Sequence, residues 1–185
     1  EEAGGDGSAY SHWESRTMFS EAMAPVMSDV ARVSKMTLAL LEDSGWYFPD
    51  YSRAGAFHFG RGLGCRFLEG PCVEGGESQF PGTFCDNTDT STCTSREYGG
   101  SGCTHDHMGK AYCDSCLHHD PLEPSQQYFS DPHLGGSQAY MGYCPLWHSF
   151  GASPTCQAHQ AGGDSVIFGE SFADTSRCVL ATLVQ

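Results

Sequence analysis

The chain has 185 residues, enough for one domain or two small ones, and its 23 glycines, 9 prolines and 10 cysteines describe a loop-rich, cross-linked fold. A net charge of −14, with only two lysines (Lys35 and Lys110) against seven arginines, argues against nucleic acid and anionic membranes as partners, because phosphate binding needs clustered basic side chains. Ten cysteines fit disulfides formed in an oxidising compartment, which predicts an extracellular or cell-surface location reached through the secretory pathway.

Residues 1–11 are glycine-rich and read as a surface loop, with neither the basic start nor the apolar middle of a signal peptide. The longest apolar run, Met36 to Leu41, is too short to cross a bilayer, so membrane attachment is expected only through an anchor outside this chain. Next comes Ser11-His12-Trp13-Glu14, and Met23 stands eleven positions after His12 in Glu21-Ala22-Met23-Ala24-Pro25. Each residue alone has a plain reading: a histidine beside a tryptophan packs or lies on the surface, and a lone methionine fills a core. As a pair they match the way metzincin zinc proteases complete an active site begun by an upstream H-E-x-x-H helix, which holds two zinc ligands and the general base. No H-E-x-x-H occurs here, so the general-base glutamate is expected upstream and the chain reads as part of an enzyme.

A helix is expected over about 28–44. Ser28 is its cap and Asp29 lies in its first turn, with a buried stripe of Val26, Val30, Val33, Thr37, Leu40 and Leu41 and a left-handed stop at Gly45. The aromatic run Trp46-Tyr47-Phe48-Pro49 is expected to pack back on the core. Beyond about Gly60 helical periodicity fades, and all ten cysteines lie between Cys65 and Cys178 in short segments broken by Gly, Pro, Asp and Ser. Ala139–Tyr143 and Val166–Phe168 are candidate strands of a small, disulfide-held β and irregular domain.

Over most of its length the chain resembles leishmanolysin, a surface zinc metalloprotease family. The matching words are Ser11-His12-Trp13-Glu14, Met23-Ala24-Pro25, Met36-Thr37-Leu38-Ala39 and Leu41-Glu42-Asp43-Ser44-Gly45-Trp46-Tyr47. They continue in order with Gly64-Cys65-Arg66-Phe67-Leu68, Phe84-Cys85, Cys93-Thr94-Ser95-Arg96, Tyr128-Phe129-Ser130-Asp131-Pro132, Tyr140-Met141-Gly142-Tyr143-Cys144-Pro145 and Ser176-Arg177-Cys178. The resemblance implies that His12 is the third zinc ligand and that Met23 is the turn methionine beneath the metal. It also implies that Ala24, Pro25 and Val26 line the wall of a substrate pocket. It suggests disulfides Cys72–Cys144, Cys85–Cys103 and Cys93–Cys178, with the partners of Cys65 and Cys156 outside the chain.

Cys113-Asp114-Ser115-Cys116 departs from the family pattern, inside an apparent insertion from Thr104 to Pro121. With His105, His107, His118 and His119 nearby it could hold a second zinc, but a local Cys113–Cys116 disulfide is the favoured reading.

The expected fold is α+β. Residues 1–70 form the C-terminal part of a metzincin-type catalytic region, with a Met-turn and one long helix, and residues 71–185 form a disulfide-rich, mainly β and irregular domain. The implied function is that of a fragment of a zinc metalloendopeptidase, with zinc as cofactor. Its partners are a protein or peptide substrate and the remainder of a parent polypeptide upstream and downstream. The alternative is a catalytically inactive relative serving as a cell-surface or extracellular structural or adhesive component.

Overall fold

The computed structural model describes residues 10–26, 28, 31–93, 99–150, 156 and 171–179. The chain divides into two compact units, Glu1–Leu68 and Glu69–Gln185. Helix and sheet both occur, with four disulfides, as a disulfide-rich α+β chain requires. No helix among the described residues is long and apolar enough to cross a membrane.

The first unit holds helices α1 (Ser15–Met18) and α2 (Lys35–Asp43), a 3-10 turn at Tyr51–Arg53, and α3 (Cys65–Glu69), which runs into the second unit. α2 is shorter than the expected helix and starts at Ser34, whose hydroxyl accepts the Met36 N–H at 3.1 Å. Ser28 is not its cap because residues 31–34 are held extended. Arg32 bridges to Glu21, the Arg32 N–H reaches the Ser20 carbonyl at 2.8 Å, and the Gly55 N–H reaches the Val33 carbonyl at 2.9 Å. Asp29 and Val30 lie outside the described residues. The expected apolar stripe is not a core face either. Thr37 is the buried residue of α2, whereas Val26, Val33 and Leu40 are exposed and Leu41 is half-buried. Gly45 does end the helix in the left-handed region, at φ +73°. That reversal sends Trp46, Tyr47 and Phe48 outward, with Phe48 fully exposed, rather than back onto the core.

The interior of this unit is built around Phe59. Its ring meets Phe19 at 5.5 Å and Phe67 edge-on at 5.6 Å. Gly60 permits that packing: it sits at φ +69°, and a Cβ there would lie 2.3 Å from the Phe67 ring. Gly60→Ala combines a left-handed penalty with overpacking and should cost about 3 kcal/mol, read as a lower urea midpoint in the full-length parent protein.

The second unit contains three small antiparallel sheets. β1 (Val73–Glu74) and β2 (Glu77–Ser78) form a hairpin whose turn, Gly75-Gly76, has two positive φ angles. β3 (Gly99–Cys103), β4 (Lys110–Cys113) and β7 (Trp147–Ser149) make a three-stranded sheet with β4 in the centre. β5 (Ser115–Leu117) pairs with β6 (Leu134–Gly136). Phe80, Phe84, Ala111, Met141 and Leu146 are buried among the cystines. Ala139–Met141 is a 3-10 turn rather than a strand, because Gly142 and Tyr143 both take positive φ and fold the chain back on Gln138 and Ala139. Val166–Phe168 lies outside the described residues.

One buried carboxylate ties the β3–β4–β7 and β5–β6 sheets together. Asp114, between β4 and β5, accepts the Leu146 N–H and the Ser137 hydroxyl (2.9 Å), and stands 3.3 Å from His148 Nε2. In the β3–β4 loop, burial raises the pKa of Asp106. Hydrogen bonds from the Thr104 hydroxyl and the Met108 N–H more than offset it and hold the group below the usual carboxylate value.

The disulfides are Cys72–Cys144, Cys85–Cys113, Cys93–Cys116 and Cys103–Cys178. The first agrees with the pairing drawn from the family; Cys85–Cys103, Cys93–Cys178 and Cys113–Cys116 do not form. Cys113 and Cys116 sit in two successive extended strands, and three extended residues span about 10 Å, beyond the reach of one disulfide. Cys85 donates its N–H to Pro145 O, beside the β7 end where Cys113 is registered opposite Trp147. Cys103 lies at the other end of β3, opposite Lys110. Cys93 is laced to β5 by its N–H to Leu117 O, which sets it next to Cys116. Cys103 and Cys178 then bond to each other, with the Cys178 N–H on the His107 carbonyl. Cys65 and Cys156 take part in no disulfide.

Candidate active-site segment

Two stretches apart in sequence, around His12 and around Met23, are bound side by side. The Trp13 N–H donates to the Met23 carbonyl at 3.0 Å, so the residue next to His12 is pinned to the methionine turn. The turn itself is closed by Glu21 N–H to Met18 O (2.9 Å) and Ala24 N–H to Glu21 O (3.1 Å). The Trp13 indole N–H reaches the Thr37 hydroxyl of α2 at 2.9 Å. One frame thus joins the His12 stretch, the turn and the helix.

Glu21 completes that frame from inside. It is 0% exposed. Its carboxylate accepts the Ala22 N–H at 3.1 Å and the Ser34 N–H at 3.1 and 3.2 Å. Two backbone N–H donors, that of Ser34 lying between both oxygens, thus satisfy a side chain whose burial without hydrogen bonds would be costly. Because Ser34 caps α2, the same carboxylate couples the turn to the start of the helix.

His12 is half-buried, with Nδ1 2.9 Å from the Ser11 hydroxyl. Met23 and Val26 are exposed, Pro25 is half-buried and Ala24 is buried. Of the three expected wall residues, Pro25 and Val26 therefore offer accessible surface and Ala24 packs inward. Sequence reading missed Glu21, and it placed Thr37 in an apolar stripe without foreseeing its hydroxyl as the acceptor of Trp13. The available signal was the pairing of an acidic residue just before the turn with a serine just before the helix.

Among the described residues, Cys93, Cys116 and His118 form the one group of three possible metal-ligating side chains. Two of its sulfurs are joined as a disulfide and offer no thiolate. Among the described residues, His107, His118 and His119 have separate partners. His107 Nδ1 lies 2.9 Å from Cys178 O, His118 Nε2 lies 3.0 Å from Gly136 O, and His119 is exposed beside Asp120.

The leishmanolysin family model matches residues 1–185. The chain is 35% identical over 179 residues to leishmanolysin of Leishmania donovani, and 34% identical over 182 residues to that of Leishmania major. Each match covers 97% of this chain, but only 29% and 28% of the respective relative. A leishmanolysin-like peptidase of Drosophila melanogaster is 32% identical over 166 residues, 81% of this chain and 23% of that protein. The chain thus spans under a third of the length of these relatives. With a match along its entire length and an ordered frame at the His12 and Met23 stretches, this chain belongs to the leishmanolysin family of metalloproteases.

Proposed function

We propose that the chain is the part of a leishmanolysin-like zinc metalloendopeptidase that supplies the third zinc ligand, His12, and the floor of the catalytic cleft around Met23. The observation that carries this reading is the Trp13 N–H bond to Met23 O, which holds a ligand-type histidine against a methionine turn. The donor chemistry fits: when the Nδ1–H of His12 donates to Ser11 Oγ, Nε2 keeps the lone pair a zinc ion requires. Bound there, zinc supplies Lewis acidity and a water of lowered pKa for peptide hydrolysis.

The chain's own groups do the rest of its share. Trp13 and Thr37 hold the His12 stretch against α2, while the Met23 turn gives that stretch a fixed base. Pro25 and Val26 offer the surface against which a peptide substrate lies. The remaining ligands and the general base are assigned to the parent polypeptide upstream. The exposed Met36, Leu40, Trp46, Tyr47 and Phe48 support a chain that is covered by other parts of its parent, since a soluble unit rarely leaves so much apolar surface open. Four disulfides and the family's character support an extracellular or cell-surface setting.

The test is the parent polypeptide itself. Its sequence upstream of Glu1 should contain an intact H-E-x-x-H, and the purified protein should hold about one zinc per chain. A parent with no such motif and no zinc is instead a scaffold of protease ancestry.

A further inference from the structure

Resting on the reading above, we infer that Glu21 is the positioning residue of the His12–Met23 frame, setting where the imidazole of His12 is presented. The carboxylate is 0% exposed and is satisfied by backbone N–H groups on both sides of the structure it joins: Ala22 within the turn, and Ser34 at the cap of α2. Its own backbone lies at the same junction. The Glu21 carbonyl accepts the Ala24 N–H, and Glu21 bridges to Arg32. Only one residue separates Glu21 from Met23, whose carbonyl holds the Trp13 N–H next to His12. A displacement of Glu21 therefore passes to His12 through three peptide links and one hydrogen bond.

An acid at this place is costly to bury unless its geometry is kept, so the residue type carries information. A neutral apolar side chain would fill the same space but take the carboxylate acceptor from the Ser34 N–H and leave the Ala22 N–H only the Arg32 carbonyl at 2.8 Å, loosening the tie between the turn and the start of α2. Glutamine keeps an acceptor oxygen at the same reach, and glutamine at this position should therefore preserve the frame.

The experiment uses the full-length parent protein and its Glu21→Ala, Glu21→Gln and Asp114→Asn variants. Asp114 lies in the other compact unit and serves as a control for loss of general stability. Two readouts are taken: the zinc dissociation constant by competition with a chromophoric chelator, and amide hydrogen exchange at Trp13 and Ser34. Glu21→Ala should weaken zinc binding by at least about tenfold, the range found when a ligand-orienting group is lost. It should also speed exchange at both amides, with Glu21→Gln restoring both readouts to near the parent values. Asp114→Asn should lower the unfolding temperature while leaving zinc affinity and Trp13 exchange unchanged. If Glu21→Ala unfolds at lower temperature yet keeps the parent zinc affinity and Trp13 protection, Glu21 is structural only and the inference is wrong. If His12→Ala keeps full zinc affinity, or the parent takes up no zinc, the metalloprotease reading itself fails and takes the role with it. Trp13 exchange that is insensitive to Glu21→Ala overturns the coupling alone, so the two failures are told apart.

Discussion

His12→Ala in the full-length parent protein is expected to lower kcat/KM on a peptide substrate by more than about 100-fold. Loss of a group that merely orients a ligand costs about 10–100-fold, and loss of a ligand costs more. The change removes a ring without touching the frame beside it. The Trp13 N–H to Met23 O bond and the Trp13 indole bond to Thr37 belong to the next residue, and the half-buried His12 fills little of the core. Urea unfolding should therefore move by less than about 1 kcal/mol once both proteins are compared without metal. Steady-state kinetics and apo-protein denaturation check the two halves of this statement. A large activity loss with an unmoved apo stability assigns His12 to chemistry. Equal losses in both assign it to packing.

The second large effect is structural. Replacing Cys72 and Cys144 together by serine should destabilise the parent protein by about 4–5 kcal/mol. The bridge closes a loop across a sequence separation of 72, and both residues are 0% exposed. Loop-closure entropy alone gives about 4 kcal/mol for a ring of that size, and two buried hydroxyls in a cystine's place add to it. Denaturant midpoints measure this. The same preparations allow peptide mapping under non-reducing conditions, which should return the links Cys85–Cys113, Cys93–Cys116 and Cys103–Cys178. Recovery of a Cys85–Cys103 peptide instead would contradict the strand register, in which Cys103 lies opposite Lys110 and Cys113 opposite Trp147.

Those three links also show where sequence reading succeeded and where it failed. Cys72–Cys144 followed from the family pattern. The segment from Thr104 to Pro121 holds two more cysteines, Cys113 and Cys116, and these take Cys85 and Cys93 as partners. Cys103 and Cys178, expected to bond to those two, are left to join each other. Pairing depends on which strands lie adjacent, and short strands of two to five residues give little periodic signal by which to foresee adjacency.

The helix shows a different limit. Gly45 was legible as a stop because a left-handed position favours glycine whatever the surroundings. The start was not, because Ser28 and Ser34 are both acceptable caps. The choice between them is made by Glu21 and Arg32, which hold the residues just before Ser34 extended. Likewise the apolar spacing of Val33 and Leu40 marks a face without naming what covers it, and both are exposed in this chain. The pair His12 and Met23 could be picked out by residue type and spacing. That Trp13 would be the residue joining them depended on a backbone bond which no side-chain pattern encodes.

The central claim, that His12 is a zinc ligand held over the methionine turn, is tested most directly by zinc-edge anomalous diffraction from crystals of the full-length parent protein. The account predicts one zinc with His12 Nε2 at about 2.0–2.1 Å and the Met23 turn beneath it. A zinc whose ligands do not include His12, or a fully folded parent with no zinc near this segment, would contradict it.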